Sequence, residues 1–205
     1  MKTLACWLVI MVLVSVYVAA LFAVLHPHVS PAYKAYYIDH ISSDWNPVHY
    51  PGSPEQGILF SRDGLPEWVQ STRGLSTREG WGRWTDEDLG SIAGVAFSHA
   101  VNGTFCVDLT ARAVPWIVGQ TIPVRMGNEV RDLHVASPEL TKYQLQFTGL
   151  TDADQLDLLL PDKLPPVYKV VPTNGDRRRI ALNLAALRLV PGQCPAGEMS
   201  SGTAR

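Results

Sequence analysis

The chain has 205 residues, a formal net charge of −2, and a composition that is 46% hydrophobic and 18% charged. A balance this near neutral gives no basis for a nucleic-acid partner or a strongly charged one. After its first segment the chain has room for one core domain.

Residues 4–25 carry no charge, and Ser15 is their only clearly polar member. As a helix rising about 1.5 Å per residue the segment reaches about 33 Å, against a hydrocarbon core of about 30 Å, so a single transmembrane helix is expected. A secretory signal peptide competes, since Lys2 gives a positive start and Ala19, Ala20 and Ala23 resemble a cleavage site. Its apolar region normally runs only about 7–15 residues, and length favours the anchor. Cys6 precedes almost all of the apolar run, which argues against a lipoprotein cysteine. Lys2 lies on the short side and the next cation is Lys34. That weak bias puts the amino terminus in the cytoplasm and the body outside the cytoplasmic membrane, periplasmic or extracellular.

Four segments are expected: a membrane anchor over 1–25, a Pro- and Tyr-rich stalk over 26–56, a β domain over 57–191 and a flexible tail over 192–205. Pro27, Pro31, Pro47, Pro51 and Pro54 break any regular element in the stalk. Tyr33, Tyr36 and Tyr37 suit either a lipid headgroup region or packing on the domain.

Short alternating runs follow. Residues 104–113 place Phe105, Val107, Leu109, Ala111 and Ala113 on one face and Cys106, Asp108, Thr110 and Arg112 on the other. Residues 142–147 and 155–160 alternate in the same way. Further strands are expected over 58–60, 91–97, 121–126 and 129–135, the last two joined by a Gly127-Asn128 hairpin turn. In 179–190 the apolar parity changes between Leu184 and Leu187, which a β-bulge near Ala185 reconciles. About eight strands without a long amphipathic helix imply an all-β fold, an antiparallel β-sandwich that is jelly-roll-like or immunoglobulin-like.

The densest cluster of chemistry is residues 74–88, Gly-Leu-Ser-Thr-Arg-Glu-Gly-Trp-Gly-Arg-Trp-Thr-Asp-Glu-Asp. Together with Gly-Ile-Leu-Phe-Ser-Arg-Asp-Gly at 57–64, Pro66, Trp68, Val69 and the strand at 179–189, it resembles an accessory domain. That domain is appended to some bacterial phosphoglycerol transferase-like and glycosyltransferase-like envelope proteins, where it stands beside a large membrane-bound catalytic portion. The resemblance covers residues 57–190 and implies a module in envelope glycan metabolism; it transfers no catalytic residue. This chain has one apolar segment where those proteins have a membrane enzyme.

Read physically, Trp81 and Trp84 offer flat faces for a sugar ring, with Arg83, Asp86 and Asp88 as a polar fringe. The competing reading has a tryptophan closing the β core while Arg83 pairs with Asp86 or Glu79 to pin a loop. Asp86, Glu87 and Asp88 are adjacent acids in an expected turn, unlike the facing carboxylates of a glycosidase. No nucleophile elbow or HExxH pattern is present, and the six histidines are scattered, so neither catalysis nor a metal or other cofactor is expected. Arg177, Arg178 and Arg179 read as a solvated loop before the last strand, or as a contact for phosphate. An oxidising compartment would let Cys106 and Cys194 pair, yet Cys106 lies on the polar face of its strand and Cys194 beyond the last strand, so pairing stays open.

The expected function is a membrane-anchored, non-enzymatic accessory or carbohydrate-binding module in envelope glycan or glycolipid assembly, its partners the lipid bilayer and an envelope saccharide. The alternative is a partner subunit that docks onto a multi-span membrane transferase without binding sugar.

Overall fold

The computed structural model describes residues 2–25, 33–34 and 48–195. The chain forms two compact units, Met1–Lys34 and Ala35–Arg205.

The first unit is α1 (Lys2–Leu25), a helix of 24 residues. Ile10, Met11, Val12, Leu13 and Val14 are all exposed, and consecutive positions face every side of a helix, so its described part is apolar all round. Ser15 Oγ donates to the Met11 carbonyl at 2.9 Å, which satisfies the hydroxyl inside the helix. Among the described residues no helix is long and apolar enough to cross a membrane. The expected span is thus found as a helix and not as a crossing.

The second unit is all-β. Its strands are β1 (His49–Tyr50), β2 (Ile58–Leu59), β3 (Leu65–Pro66), β4 (Val69–Arg73), β5 (Arg83–Asp86), β6 (Ile92–Ala113), β7 (Thr121–Met126), β8 (Glu129–His134), β9 (Thr141–Leu159) and β10 (Ile180–Pro191). One short helix, α2 (Val167–Val170), lies between β9 and β10. Eight strands form an antiparallel sheet in the order β2-β10-β6-β9-β7-β8, with β4 added on β6 and β5 on β10; β1 and β3 pair separately in parallel.

The expected runs at 91–97 and 104–113 are two halves of β6, and those at 142–147 and 155–160 are two halves of β9. Register shifts between Ala96 and Phe105 let the β6–β9 ladder continue through the polar stretch between the halves. The first half of β6 pairs with β4 and the end of β9; the second half pairs with β10 and the start of β9. The sandwich therefore differs from two separate sheets in that β6 and β9 belong to both halves. Ala93, Val95 and Phe97 from one end of β6 and Val107, Leu109 and Ala111 from the other join a single buried core with Tyr143, Phe147 and Leu184. Each large apolar side chain buried there contributes roughly 1.5–3 kcal/mol.

Two buried acids on the opposite face clamp neighbouring strands. Asp108 on β6 is paired with Arg188 on β10 and with Lys142 on β9, the latter at 3.6 Å. Asp157 on β9 takes Arg73 from β4 at 2.5 Å and Arg125 from β7 at 2.8 Å. Arg73 reaches over Gly94 of the intervening β6, where a Cβ would lie 2.6 Å from Asp157 Oδ1 and from the Leu156 carbonyl. Only a residue without a side chain leaves that path open.

The bulge expected near Ala185 is present as a register shift between Leu184 and Ala186, and Met126 pairs with Glu129 across the Gly127-Asn128 turn. Residues 48–56, placed in the stalk by sequence, are hydrogen-bonded to the domain: the Tyr50 carbonyl accepts from Glu67 N and the Pro54 carbonyl from Leu189 N, both at 2.9 Å. Tyr36 and Tyr37 lie outside the described residues, as does the tail from 196 onward.

Candidate functional site

The segment 75–86, for which no strand was expected from sequence, is a hairpin. Ser76 N donates to the Trp84 carbonyl at 2.8 Å, and Glu79 and Gly82 exchange backbone hydrogen bonds of 2.8 and 3.2 Å, leaving Gly80 and Trp81 as the two-residue tip. The returning arm is β5, which pairs Trp84 with Asn183 and Arg83 with Leu184 on β10. Thr85 Oγ1 accepts from Leu182 N at 3.0 Å inside the core, fixing the arm to the sheet. Gly82 passes so close to β10 that a Cβ there would lie 2.1 Å from the Leu184 carbonyl. Its φ of +147° also favours glycine.

The four residues singled out from sequence are held by this hairpin in different environments. Trp81 is 54% exposed at the tip, while Arg83 is 2% and Asp86 0% exposed. Trp84 is partly buried against the core, and its Nε1 donates to Glu79 Oε2 at 3.2 Å. Asp86 caps the turn that follows, its Oδ1 accepting from Asp88 N at 3.1 Å. The expected sugar face of two tryptophans with an Arg and Asp fringe is therefore reduced at the surface to Trp81, because strand pairing turns the polar members inward. Glu87 is also engaged, accepting from Lys163 N at 3.0 Å and Leu164 N at 2.8 Å. Among the described residues no group of three or more His, Cys, Asp or Glu is placed to hold a metal ion.

Arg178 pins the hairpin from the segment that leads into β10. Its guanidinium lies 3.0 Å from Glu79 Oε1 and 2.7 Å from Asp176 Oδ2, and Nη1 donates to Ser76 Oγ at 3.2 Å. Burial alone would push the Arg178 guanidinium down and the Asp176 carboxyl up. Their mutual hydrogen bonds and charge prevail, so Arg178 is held above its ordinary range and Asp176 below it. Arg178 thus departs from the solvated-loop reading, while Arg179 stands near Asp88 at 3.7 Å with both side chains roughly half exposed.

Sequence reasoning missed the residues beneath Trp81. Arg112 of β6 pairs in register with Asn183 of β10, and Asn183 with Trp84 of β5, so the three form a row on the face away from Ala111, Leu182 and Leu184. The Arg112 guanidinium carbon lies 6.0 Å from the centre of the Trp81 ring, within cation–π range. Alternation did assign Arg112 to the polar face of its strand; nothing in sequence showed that the hairpin would fold over that face.

Cys106 and Cys194 form a disulfide, S–S 2.03 Å, across a separation of 88 residues. Gln146 on β9 holds the same corner: its Oε1 accepts from Cys194 N at 2.6 Å and its Nε2 donates to the Gly192 carbonyl at 3.3 Å.

Residues 45–191, which contain the hairpin, the Arg178 cluster and the whole eight-stranded sheet, match the family model described as a domain of unknown function, DUF7024. The chain belongs to the DUF7024 family. It is 36% identical over 105 residues to phosphoglycerol transferase I of Escherichia coli O139:H28 (strain E24377A / ETEC) and equally to that of Shigella boydii serotype 18 (strain CDC 3083-94 / BS512). The match covers 51% of this chain and 14% of each relative. That fits the resemblance read from sequence, a DUF7024 domain appended to phosphoglycerol transferase-like proteins.

Proposed function

We propose that the chain is a membrane-tethered accessory module of bacterial envelope glycan or glycolipid assembly, whose DUF7024 domain binds saccharide at the tip of the 75–86 hairpin. The observation that carries this reading is Trp81, a large flat ring half-exposed at the tip of a hairpin whose returning arm is buried and hydrogen-bonded. Exposed aromatics on rigid supports are the usual stacking surface for sugar rings. The similarity to phosphoglycerol transferase I supports the glycan context.

Two features support tethering with the domain outside the cytoplasm. A helix that is apolar on every side needs lipid or protein around it, and α1 offers such a surface. The Cys106–Cys194 disulfide suits an oxidising compartment. In this reading α1 associates with the cytoplasmic membrane through that apolar surface.

The test is titration of the detergent-solubilised full chain with envelope glycans. Binding that Trp81→Ala removes supports the proposal; equal binding by both proteins, or none by either, counts against it. Protease added to intact spheroplasts should digest the domain, and its full protection would reject the topology.

A second reading is docking of α1 onto a membrane transferase. It is favoured by a shallow groove along Met11, Val12, Ser15, Val16 and Ala19, where the small Ser15 and Ala19 let another helix approach closely. Replacing α1 by an unrelated apolar helix should then abolish function, and full function with the replacement would reject this docking.

A further inference from the structure

Asn183 is completely buried, and neither its Oδ1 nor its Nδ2 has a hydrogen-bond partner among the described residues. Nor does the buried Nε of Arg112, the residue directly across the ladder. Buried polar atoms are almost always satisfied, and leaving several neighbouring ones without partners is costly. They sit under the hairpin tip: a Cβ on Gly82 would lie 2.8 Å from Asn183 Oδ1, and the Trp81 ring lies above the Arg112 guanidinium. Arg112 makes no ion pair with any described acid, unlike Arg73, Arg125, Arg178 and Arg188, each of which meets a carboxylate.

A fully buried amide without partners, beside a half-buried guanidinium whose buried Nε also lacks one, matches the needs of an oxyanion. A guanidinium binds carboxylate or phosphate oxygens with charge-assisted hydrogen bonds, and an amide adds one neutral donor and one acceptor for a hydroxyl. At the tip above them, the position a Cβ would take on Gly80 has no heavy atom within 4 Å.

We infer that the ligand of this face is an anionic saccharide, its ring stacked on Trp81 and its phosphate or carboxylate bound by Arg112 and Asn183. This rests on the saccharide reading proposed above and gives it a ligand class. It also moves the polar half of the site from Arg83 and Asp86 to the row beneath them in the sheet.

The experiment is a nuclear magnetic resonance titration of the full chain in detergent micelles, reading the Trp81 indole and the Asn183 side-chain amide. Their signals are assigned by loss in Trp81→Phe and Asn183→Leu. Four probes are used: glucose, glucose 6-phosphate, glucuronate and inorganic phosphate. Glucose 6-phosphate and glucuronate should shift both signals, and glucose only the indole. Arg112→Gln should weaken the two anionic sugars about tenfold or more without changing glucose, and Arg112→Lys should restore part of the preference.

Equal affinity for glucose and glucose 6-phosphate, or affinity for the latter unchanged in Arg112→Gln, overturns the anion inference and leaves saccharide binding standing. No shift of the indole by any sugar overturns the saccharide reading itself. Inorganic phosphate binding as tightly as glucose 6-phosphate shows a plain anion site and overturns the inference. An Asn183 amide that no probe moves is satisfied by internal water, which overturns it too.

Discussion

Arg178 Nη2 lies 3.0 Å from Glu79 Oε1, although the two residues are 99 positions apart in the chain. Glu79 turns its other oxygen to Trp84 Nε1, so one carboxylate joins the hairpin tip, the returning arm β5 and the segment entering β10. Both side chains of the pair are about three-quarters buried, where an ion pair is little screened by solvent.

Replacing Glu79 by Gln keeps the shape and removes the charge. The loss of stability should be about 1–3 kcal/mol, the range for hydrogen bonds to charged groups, in urea unfolding of the full chain. Arg178→Met should cost at least as much, because it leaves both Asp176 and Glu79 without their cation. A change below about 0.5 kcal/mol in both variants would place the cluster among surface pairs that contribute little.

Asp176 gives the same cluster a pH signature. Its carboxyl is held below the ordinary value in the folded chain, so its stabilisation is fully present above the unfolded value of about 3.9 and is lost as pH falls through the folded one. The urea midpoint should drop as pH falls below about 4, and Asp176→Asn should flatten that drop. Parallel acid profiles for the two proteins would show that other carboxyls account for it.

Gly94 should be intolerant of even one methyl group. Gly94→Ala forces the Leu156 carbonyl or the Asp157 carboxylate aside, and such overpacking costs about 1–3 kcal/mol. Once Asp157 has moved, adding Arg73→Ala should cost less than it does alone, because the contact it removes is already broken. Full additivity of the two substitutions would refute the view that Gly94 keeps that path open.

Reduction of the disulfide, or a Cys194→Ser substitution, should cost up to about 4–5 kcal/mol in the chain-entropy account of a loop this long. Thermal unfolding with and without reductant measures it. A fall in melting temperature with reductant for the wild type, and none for Cys194→Ser, is the expected pattern.

Much of the sheet was legible because alternation reports burial locally. Val107, Leu109 and Ala111 are buried as their parity implies, and the parity change in β10 marked its bulge. What alternation could not show is continuity: Ser98, His99 and Ala100 are exposed and look like a loop, yet they lie within β6. The site was less legible for a related reason. Arg83 and Asp86 are charged, so sequence placed them outside, but antiparallel pairing with β10 holds them in a buried arm. Asn183 carried the opposite signal, an amide among leucines whose concealment depends on a hairpin arriving from residues 75–86. Pairings over such separations leave no local trace in either partner.

The sharing of β6 and β9 by both halves has an evolutionary consequence. A recombination breakpoint within residues 97–104 would give each product a β6 stump severed from the strands that its other end needs. No fragment made by such a cut inherits a closed core. The domain should therefore transfer between proteins as a whole, with junctions outside β1 and beyond Cys194, whose disulfide closes the sheet's last corner.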